Sequence, residues 1–213
     1  YVYSDEKKTE LYGGKFEEIK TFAEGVTCAD PLAPEYRYED VSYADAKAAT
    51  TLENVTVVPC AHASLDENGC CTGCGFHLAF AVEKDGVSKN FETFEDAIRY
   101  AEQNDGCTVK LLQDLVIDEA TAGSLMDGYS LVFGKGEYTL DLNGKTLNIN
   151  NYYFNVYHGC IMTIIDSVGG GKVTDPGMGR IGTDDYSKLT VTGGEFNVNI
   201  QISKRSSLLL EGG

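Results

Sequence analysis

The chain has no tryptophan, only 4 prolines and 3 histidines, and few positive charges. Its 17 lysines and arginines stand against 33 aspartates and glutamates, so the net charge is -16. A chain this negative repels phosphate groups, and we therefore expect neither nucleic acid nor an anionic membrane surface as a partner. No apolar run approaches the length of a membrane-spanning helix, and the first residues do not have the layout of a signal peptide. We expect no membrane insertion.

Glycine and tyrosine are plentiful instead, with 24 and 13 copies among 213 residues. Hydrophobic residues make up 42% of the chain, which is enough for a real core in one large or two small domains. This composition is typical of a protein built from strands and turns rather than of a disordered one.

Short alternating apolar runs recur in the second half of the chain, and each is typical of a half-buried strand. They lie at residues 138–144, 145–149, 161–165, 188–192 and 207–210. Glycine pairs at 170–171, 193–194 and 212–213 follow at intervals of 23 and 19 residues, which is a solenoid-like period. The pattern predicts stacked strands with glycine at the corners, where left-handed backbone angles are needed.

Residues 93–103 are the one convincing helix. Thr93 can cap it, and Asp96 can complete a capping box. Its apolar face is formed by Phe94, Ala97, Ile98 and Ala101. A strand at 108–112 follows, and this order resembles the amino-terminal cap of right-handed parallel β-helices. Just upstream, strands at 76–82 and 87–91 flank a turn and predict a hairpin.

The first 59 residues are harder to interpret. Residues 11–19 share a Gly-Gly-x-Phe pattern with residues 191–198, residues 28–50 are irregular, and residues 52–58 form a strand pattern. We therefore divide the chain into three parts. Residues 1–59 are the end of a preceding β-helical unit plus an irregular segment, residues 60–75 are a zinc-binding connector, and residues 76–213 are the hairpin, the capping helix and the start of the next β-helical unit.

The connector collects the chain's most informative residues, Cys60, His62, Cys71 and Cys74. Three thiols and an imidazole in this order are the ligands of a closed structural Zn²⁺ site. On an extended strand, residues two apart point to the same side, so Cys60 and His62 can reach one ion. Gly69 and Gly75 supply unusual backbone angles, and eight residues between the half-sites allow a hairpin-like reversal.

Two alternatives for the cysteines stay open: a Cys71–Cys74 disulfide, or a redox-active Cys-x-x-Cys. No helical pattern follows the motif, which disfavours the redox interpretation. Four protein ligands leave no position for water, so a catalytic zinc is disfavoured too. Cys70 is interpreted as a bystander and His77 as a strand residue. The widely spaced cysteines expected to be buried thiols are Cys28, Cys107 and Cys160.

We expect no catalytic residues and no organic cofactor. An enzyme of the β-helix type would use carboxylates, and the candidates in this chain are Asp141, Asp166, Asp175, Asp184 and Asp185, with Arg180 and His158 nearby. Asp141 lies between two strand leucines and is expected to point to solvent. The tyrosines that could form a recognition surface, or simply pack within strands, are Tyr36, Tyr38, Tyr43, Tyr152, Tyr153 and Tyr157.

These features together resemble repetitive surface proteins of gut-dwelling Gram-positive bacteria, in which β-helical units alternate with small Cys-x-His…Asn-Gly-x-Cys-Thr-x-Cys-Gly elements. The matching stretches are residues 52–58, 60–75, 94–112, 139–147, 163–167 and 169–172. Cys70 departs from the pattern, because that position more often carries a polar residue. Members are generally long, secreted and attached to the cell wall, and this chain resembles an excised piece of one.

The resemblance implies an extracellular, non-catalytic adhesion or binding module of the bacterial cell surface. Its partner is then a host protein, immunoglobulins among the candidates, or a glycan. A β-helical carbohydrate-active enzyme, either a polysaccharide lyase or a glycosidase, is one alternative. A purely structural stalk is the other. The expected fold class is mainly β: a right-handed parallel β-helix-like solenoid with one amphipathic capping helix and a small zinc-knuckle connector.

Overall fold

The structure is a computed structural model that describes residues 11–20, 32, 36–49, 51–66, 69–203 and 205–211. The chain divides into two compact units, Tyr1–His77 and Leu78–Gly213. The described residues are mainly β, with several parallel sheets, which confirms this part of the expected fold class. Within the described part of the chain, no helix is both long and apolar enough to cross a membrane.

The first unit contains a three-stranded antiparallel sheet in the order β1-β3-β2. Its elements are β1 (Gly14–Lys20), β2 (Tyr36–Tyr38), α1 (Tyr43–Ala48) and β3 (Thr51–Pro59). A small core packs under the sheet around Leu32, Tyr38, Ala46, Leu52, Val55 and Val57. Helix α1 begins at the N-cap Ser42, whose hydroxyl accepts a hydrogen bond from the Asp45 N–H. The sequence had predicted an irregular segment here.

The Gly-Gly-x-Phe pattern shared by residues 11–19 and 191–198 leads to different pairings. In the first unit it opens β1, which runs antiparallel to β3. In the second unit its copy opens a strand in a parallel sheet. The glycines specify a local turn before a strand in both places, but they do not specify the direction of the neighbouring strand.

The second unit contains sixteen strands and two α-helices among its described residues. It begins with β4 (Phe80–Lys84), β5 (Val87–Phe91), α2 (Phe94–Glu102), β6 (Cys107–Leu111), β7 (Leu115–Val116), α3 (Glu119–Ala122), a 3₁₀ turn (Gly123–Leu125), β8 (Met126–Asp127) and β9 (Ser130–Phe133). It continues with β10 (Glu137–Asp141), β11 (Thr146–Asn148), β12 (Tyr153–Val156), β13 (Ile161–Ile165), β14 (Lys172–Thr174), β15 (Arg180–Thr183), β16 (Lys188–Val191), β17 (Glu195–Asn197), β18 (Asn199–Ile202) and β19 (Ser207–Leu210).

From β10 onward, consecutive strands join three sheets in strict rotation. The sheet orders are β19-β16-β13-β10-β6-β4-β5, β17-β14-β11-β7 and β18-β15-β12-β9-β8. The pairs among β10 to β19 are parallel, while the β4-β5, β4-β6 and β8-β9 pairs are antiparallel. We call each set of three successive strands, one from each sheet, a repeat. Tyr138, Met162, Leu189 and Leu208 occupy equivalent positions, so the repeats are 24, 27 and 19 residues long.

The core forms because apolar residues at equivalent positions stack between repeats. Val109, Leu140, Ile164 and Val191 lie in one such row, and each is 3% exposed or less. Burying a side chain of this size stabilises the fold by about 1.5–3 kcal/mol. A second row passes through Phe133 and Val156 in the neighbouring sheet. The parallel ladders and the apolar rows therefore reinforce one another.

Helix α2 covers this core, and its predicted boundaries and apolar face are confirmed. The Thr93 hydroxyl caps it by accepting a hydrogen bond from the Asp96 N–H at 3.1 Å. Its buried residues are Phe94, Ala97, Ile98 and Ala101. The Phe94 ring lies 5.5 Å from the Phe80 ring and 6.1 Å from the Phe133 ring, measured between centroids. The helix is thus fixed by aromatic packing as well as by its cap.

Aspartate side chains form hydrogen bonds between neighbouring repeats at the turns that join successive strands, which we call corners. Asp141 is only 1% exposed, so the expectation that it points to solvent is wrong. One of its carboxylate oxygens accepts hydrogen bonds from the N–H groups of Asn143 (2.9 Å) and Ser167 (3.0 Å), and the other accepts one from the Ser167 hydroxyl (2.6 Å). Strand β10 ends at Asp141, so the alternation of inward-facing and outward-facing side chains along the strand no longer applies there. A carboxylate saturated by hydrogen bonds can be buried in this way.

Gly170 and Gly171, in the corner before β14, allow the energetic effects of overpacking and of backbone strain to be measured separately. A Cβ atom at Gly171 would lie 2.7 Å from the Leu142 Cβ, whereas one at Gly170 would meet nothing within 4 Å but would need a φ of +88°. We expect Gly171→Ala to lower the free energy of unfolding by about 2–3 kcal/mol through overpacking. Gly170→Ala should cost about 1–2 kcal/mol through the left-handed backbone alone. Urea denaturation measures both, and equal effects would contradict the packing argument.

Candidate metal centre

The first half of the site follows directly after β3. That strand ends at Pro59, and Cys60 and His62 lie beyond it in a segment without regular pairing. His62 has a φ of 49°, a left-handed value that is uncommon for a residue with a side chain. The expected reason for their convergence, alternation on an extended strand, is therefore wrong. The two side chains converge because the backbone turns at His62.

The second half of the site returns in the hairpin-like reversal predicted from the sequence. Antiparallel bridges join Leu65 to Cys71 and Cys70 to His77. The Asp66 N–H donates to the Cys70 carbonyl at 2.8 Å, and the Asp66 carboxylate accepts from the Cys70 N–H at 3.0 Å. These bonds hold the chain so that Cys71 and Cys74 face the first half of the site.

Both glycines expected to supply unusual backbone angles do so. Gly69 has a φ of 77° and Gly75 a φ of 72°. At Gly75 a side chain is excluded by space as well, because a Cβ atom would lie 2.2 Å from the Tyr43 ring. Helix α1 therefore packs its tyrosine directly on the turn that carries Cys74.

The four predicted ligands form a cluster that can hold a metal ion. Their ligand atoms all lie within 4.8 Å of one another. The Cys60 Sγ lies 3.5 Å from the Cys71 Sγ, and the Cys74 Sγ lies 3.5 Å from the His62 Nδ1. Cys71 and Cys74 are buried, whereas Cys60 and His62 are half-buried. One face of the His62 ring is covered by Phe76, whose ring centroid lies 5.5 Å away.

The Gly73 N–H donates a hydrogen bond to the Cys71 Sγ at 3.4 Å. The backbone N–H groups of His62 and Phe76 act in the same sense on Cys60 and Cys74, because each lowers the pKa of the thiol two positions before it. Hydrogen bonds of this kind favour the thiolate, which is the form that binds metal. These donors were missed in the sequence, although the glycine after Cys74 was a signal for a tight turn of this kind.

Burial opposes ionisation in the cluster. It raises the pKa of the Cys60 thiol and raises the pKa of the Cys74 thiol still further. Burial acts on Cys71 as well, but the N–H groups of Gly73 and Cys74 and the Cys60 thiol outweigh it, so the pKa of Cys71 lies below its usual value. Three crowded sulfurs do not ionise together in a partly buried site without a cation. The donor set thus fits a metal ion that supplies positive charge.

Among the described residues, the cysteines Cys70, Cys107 and Cys160 are not part of the cluster. All six cysteines that the structure describes are thiols. Cys70 is half-buried in the reversal and His77 pairs with its backbone, so neither joins the four ligands. Cys107 and Cys160 are buried in the core of the second unit, as expected, and burial raises the pKa of Cys160 to about 12. Cys28 lies outside the described residues.

Most of the candidate catalytic carboxylates accept hydrogen bonds from backbone N–H groups at corners. Asp166 accepts from Gly144 at 2.8 Å and from Gly171 at 2.7 Å. Asp175 accepts from the N–H groups of Asn151 (2.7 Å), Gly177 (2.9 Å) and Gly179 (2.7 Å). Asp184 accepts from Asp185 at 2.7 Å, and Asp185 faces the exposed His158 ring at 3.3 Å. Most of these carboxylates therefore brace the backbone between repeats.

The tyrosines divide between packing and surface positions. Tyr38 is buried in the core of the first unit, while Tyr36 and Tyr43 are half-buried. In the second unit Tyr152, Tyr153 and Tyr157 are all half-buried. The most exposed tyrosines there are Tyr129 and Tyr186, which the sequence patterns did not single out.

Comparison with known proteins gives no further information about this site. Searches of protein-family models, of curated proteins and of solved structures found no match to this chain.

Proposed function

We propose that the chain is a non-catalytic, extracellular binding module whose first unit is held together by a structural zinc ion. The observation that carries this proposal is the closed set of four protein donors, with every pair of ligand atoms within 4.8 Å. Tetrahedral zinc with Zn–S bonds of about 2.3 Å places its ligand atoms about 3.5–4 Å apart, close to the two 3.5 Å separations given above. Cys60, His62, Cys71 and Cys74 would fill all four positions, leaving none for a substrate.

The second unit acts in this proposal as a right-handed parallel β-helix with α2 as its cap. Support comes from the strict rotation of strands among three sheets and from the parallel rows of apolar residues. Support for a non-catalytic role comes from Asp141, Asp166 and Asp175, whose oxygens accept backbone hydrogen bonds within and between repeats. A carboxylate used in this way has less freedom to act on a substrate.

The partner in this proposal is a host extracellular protein, immunoglobulins among the candidates, or a glycan. The resemblance to wall-attached, β-helical surface proteins of gut Gram-positive bacteria supports this assignment, because such modules are displayed to the host. The net charge of -16 supports it too, since an acidic surface disfavours nucleic acid and anionic lipid.

Affinity capture tests the proposal. The purified zinc-loaded chain is immobilised and exposed to immunoglobulin, mucin and released-glycan fractions, and its metal content is measured by native mass spectrometry. We expect about one zinc ion per chain and saturable retention of one fraction. Retention of none of the three would argue against a binding module. Turnover of a polysaccharide in the glycan fraction would favour an enzyme instead.

A further inference from the structure

A small polar depression lies on the outer face of the sheet formed by β9, β12, β15 and β18. Phe154 and Ile181 point into the core from this sheet, so the residues between them in the alternation face outward. The depression has a volume of about 30 Å³. The lining residues that matter here are Asn155, Tyr157, Arg180, Gly182, Asp184 and Gln201.

The floor of the depression exists because one position carries no side chain. Gly182 pairs with Asn155 on one side and Gln201 on the other, and a Cβ atom at Gly182 would lie 2.5 Å from the Asn155 Oδ1. The Asn155 Nδ2 donates to the Ser130 hydroxyl at 3.1 Å, which fixes the amide group. No described residue donates a hydrogen bond to the Oδ1 atom, so its acceptor capacity is left for a ligand.

The wall of the depression carries a cation held in place by an aromatic ring. The Arg180 guanidinium lies 3.9 Å from the centroid of the Tyr153 ring. Among the described residues Arg180 forms no ion pair, and its side chain donates no hydrogen bond. Asp184, Tyr157 and Gln201 line the same depression. Donors, acceptors and aromatic rings thus converge on one small area.

The corner beside the depression holds bulky residues in a costly backbone conformation. His158, Asp185, Tyr186 and Arg205 have φ values of 56°, 51°, 61° and 68°. Aspartate and histidine adopt positive φ more readily than most residues, whereas for the bulky Tyr186 and Arg205 it is an outlier, and such strain clusters at functional sites. The Arg205 guanidinium donates to the Tyr186 hydroxyl at 2.8 Å, which fixes an exposed tyrosine next to Asp184 and Asp185.

From these contacts we infer that this face binds a neutral saccharide chain, an inference that rests on the proposed binding function and names its site. The planar polar groups of Asn155, Arg180 and Gln201 suit adjacent ring hydroxyls, which both donate and accept. Tyrosine rings pack against the apolar C–H faces of sugars. A protein partner needs a larger contact with an apolar centre, and this depression is small and polar. Asp184 and the charge of -16 disfavour an acidic sugar.

The test is a glycan array that carries neutral oligosaccharides and their sialylated forms, probed with the full zinc-loaded chain and followed by calorimetry on the strongest saccharide. We expect neutral saccharides to bind. Arg180→Gln and Gly182→Val, which fills the floor, should each weaken binding at least tenfold. Lys172→Gln removes one positive charge from β14, in a different sheet, and should change binding less than twofold.

Each outcome decides the question. If Gly182→Val strongly lowers the melting temperature, only the saccharide binding of Arg180→Gln is compared with that of the unchanged chain. Binding that Arg180→Gln leaves unchanged would place the saccharide elsewhere, and binding of sialylated forms only would overturn the neutral ligand. Retention of an immunoglobulin with no saccharide bound would overturn this inference while the proposed binding module stands. Retention of nothing would count against both.

Discussion

Replacing Cys71 with serine should abolish metal binding and unfold the first unit, whereas the same change at the neighbouring Cys70 should do neither. The Cys71 Sγ lies 3.5 Å from the Cys60 Sγ and receives the Gly73 N–H. Cys70 has no place in the four-residue cluster. Structural zinc contributes about 10–16 kcal/mol of apparent binding free energy in small domains, so its loss outweighs what the small core of this unit supplies.

Native mass spectrometry and hydrogen exchange measure the two effects. For Cys71→Ser we expect fewer than about 0.1 zinc ions per chain and loss of amide protection in β3 and in residues 69–77, with the strands of the second unit still protected. For Cys70→Ser we expect wild-type metal content and protection. A Cys71→Ser chain that keeps its protection in β3 would show that the metal is not structural.

Replacing Asp141 with alanine should destabilise the second unit by about 3 kcal/mol. The buried carboxylate accepts three hydrogen bonds from Asn143 and Ser167, and its removal leaves their N–H groups without an acceptor inside the protein. Hydrogen bonds to a charged group contribute about 1.5–3 kcal/mol each, and water can replace part of this loss because Ser167 is exposed and Asn143 is half-buried. Asp141→Asn retains one acceptor oxygen and a donor for the Ser167 hydroxyl, so it should cost less than half as much.

Thermal unfolding checks this expectation, with a shift in melting temperature of roughly 10 °C for Asp141→Ala. Glu137→Ala provides the matched control, because Glu137 is an exposed carboxylate on the same strand, and its loss should change stability by less than about 0.5 kcal/mol. If both variants behaved alike, Asp141 would not brace the corner. Unchanged stability together with lost turnover of a polysaccharide would reopen the enzyme alternative.

Local patterns predicted part of the regular structure: β12, β14, β15, β17 and β18 were not predicted, and the strand predicted at 76–82 begins at Phe80. The strands at 161–165 and 207–210 appear at their predicted positions, and α2 begins after its predicted cap. These segments combine a clear period with a turn signal, so that propensity and tertiary packing agree. Helix α1 was missed because its six residues expose a mixed polar surface and bury only Ala46.

The four residues that cluster as candidate metal ligands were predictable from the sequence, but the geometry that brings them together was not. Spacing and residue type identify Cys60, His62, Cys71 and Cys74, because few other arrangements use such a donor set. The left-handed turn at His62 and the backbone donors to sulfur depend on the whole reversal, which no short window encodes. Asp141 was misassigned for a related reason, since alternation within one strand does not reveal a neighbouring repeat that covers it.

The repeats of 24, 27 and 19 residues keep the same strand register although their lengths differ. All of the variation in length is absorbed at the corners, and the longest repeat contains the segment at 175–179 between β14 and β15, which Asp175 braces. Mutation can therefore lengthen or shorten a corner without disturbing the rows of apolar side chains. Corners are consequently where this architecture can diversify what it displays while its interior stays constant.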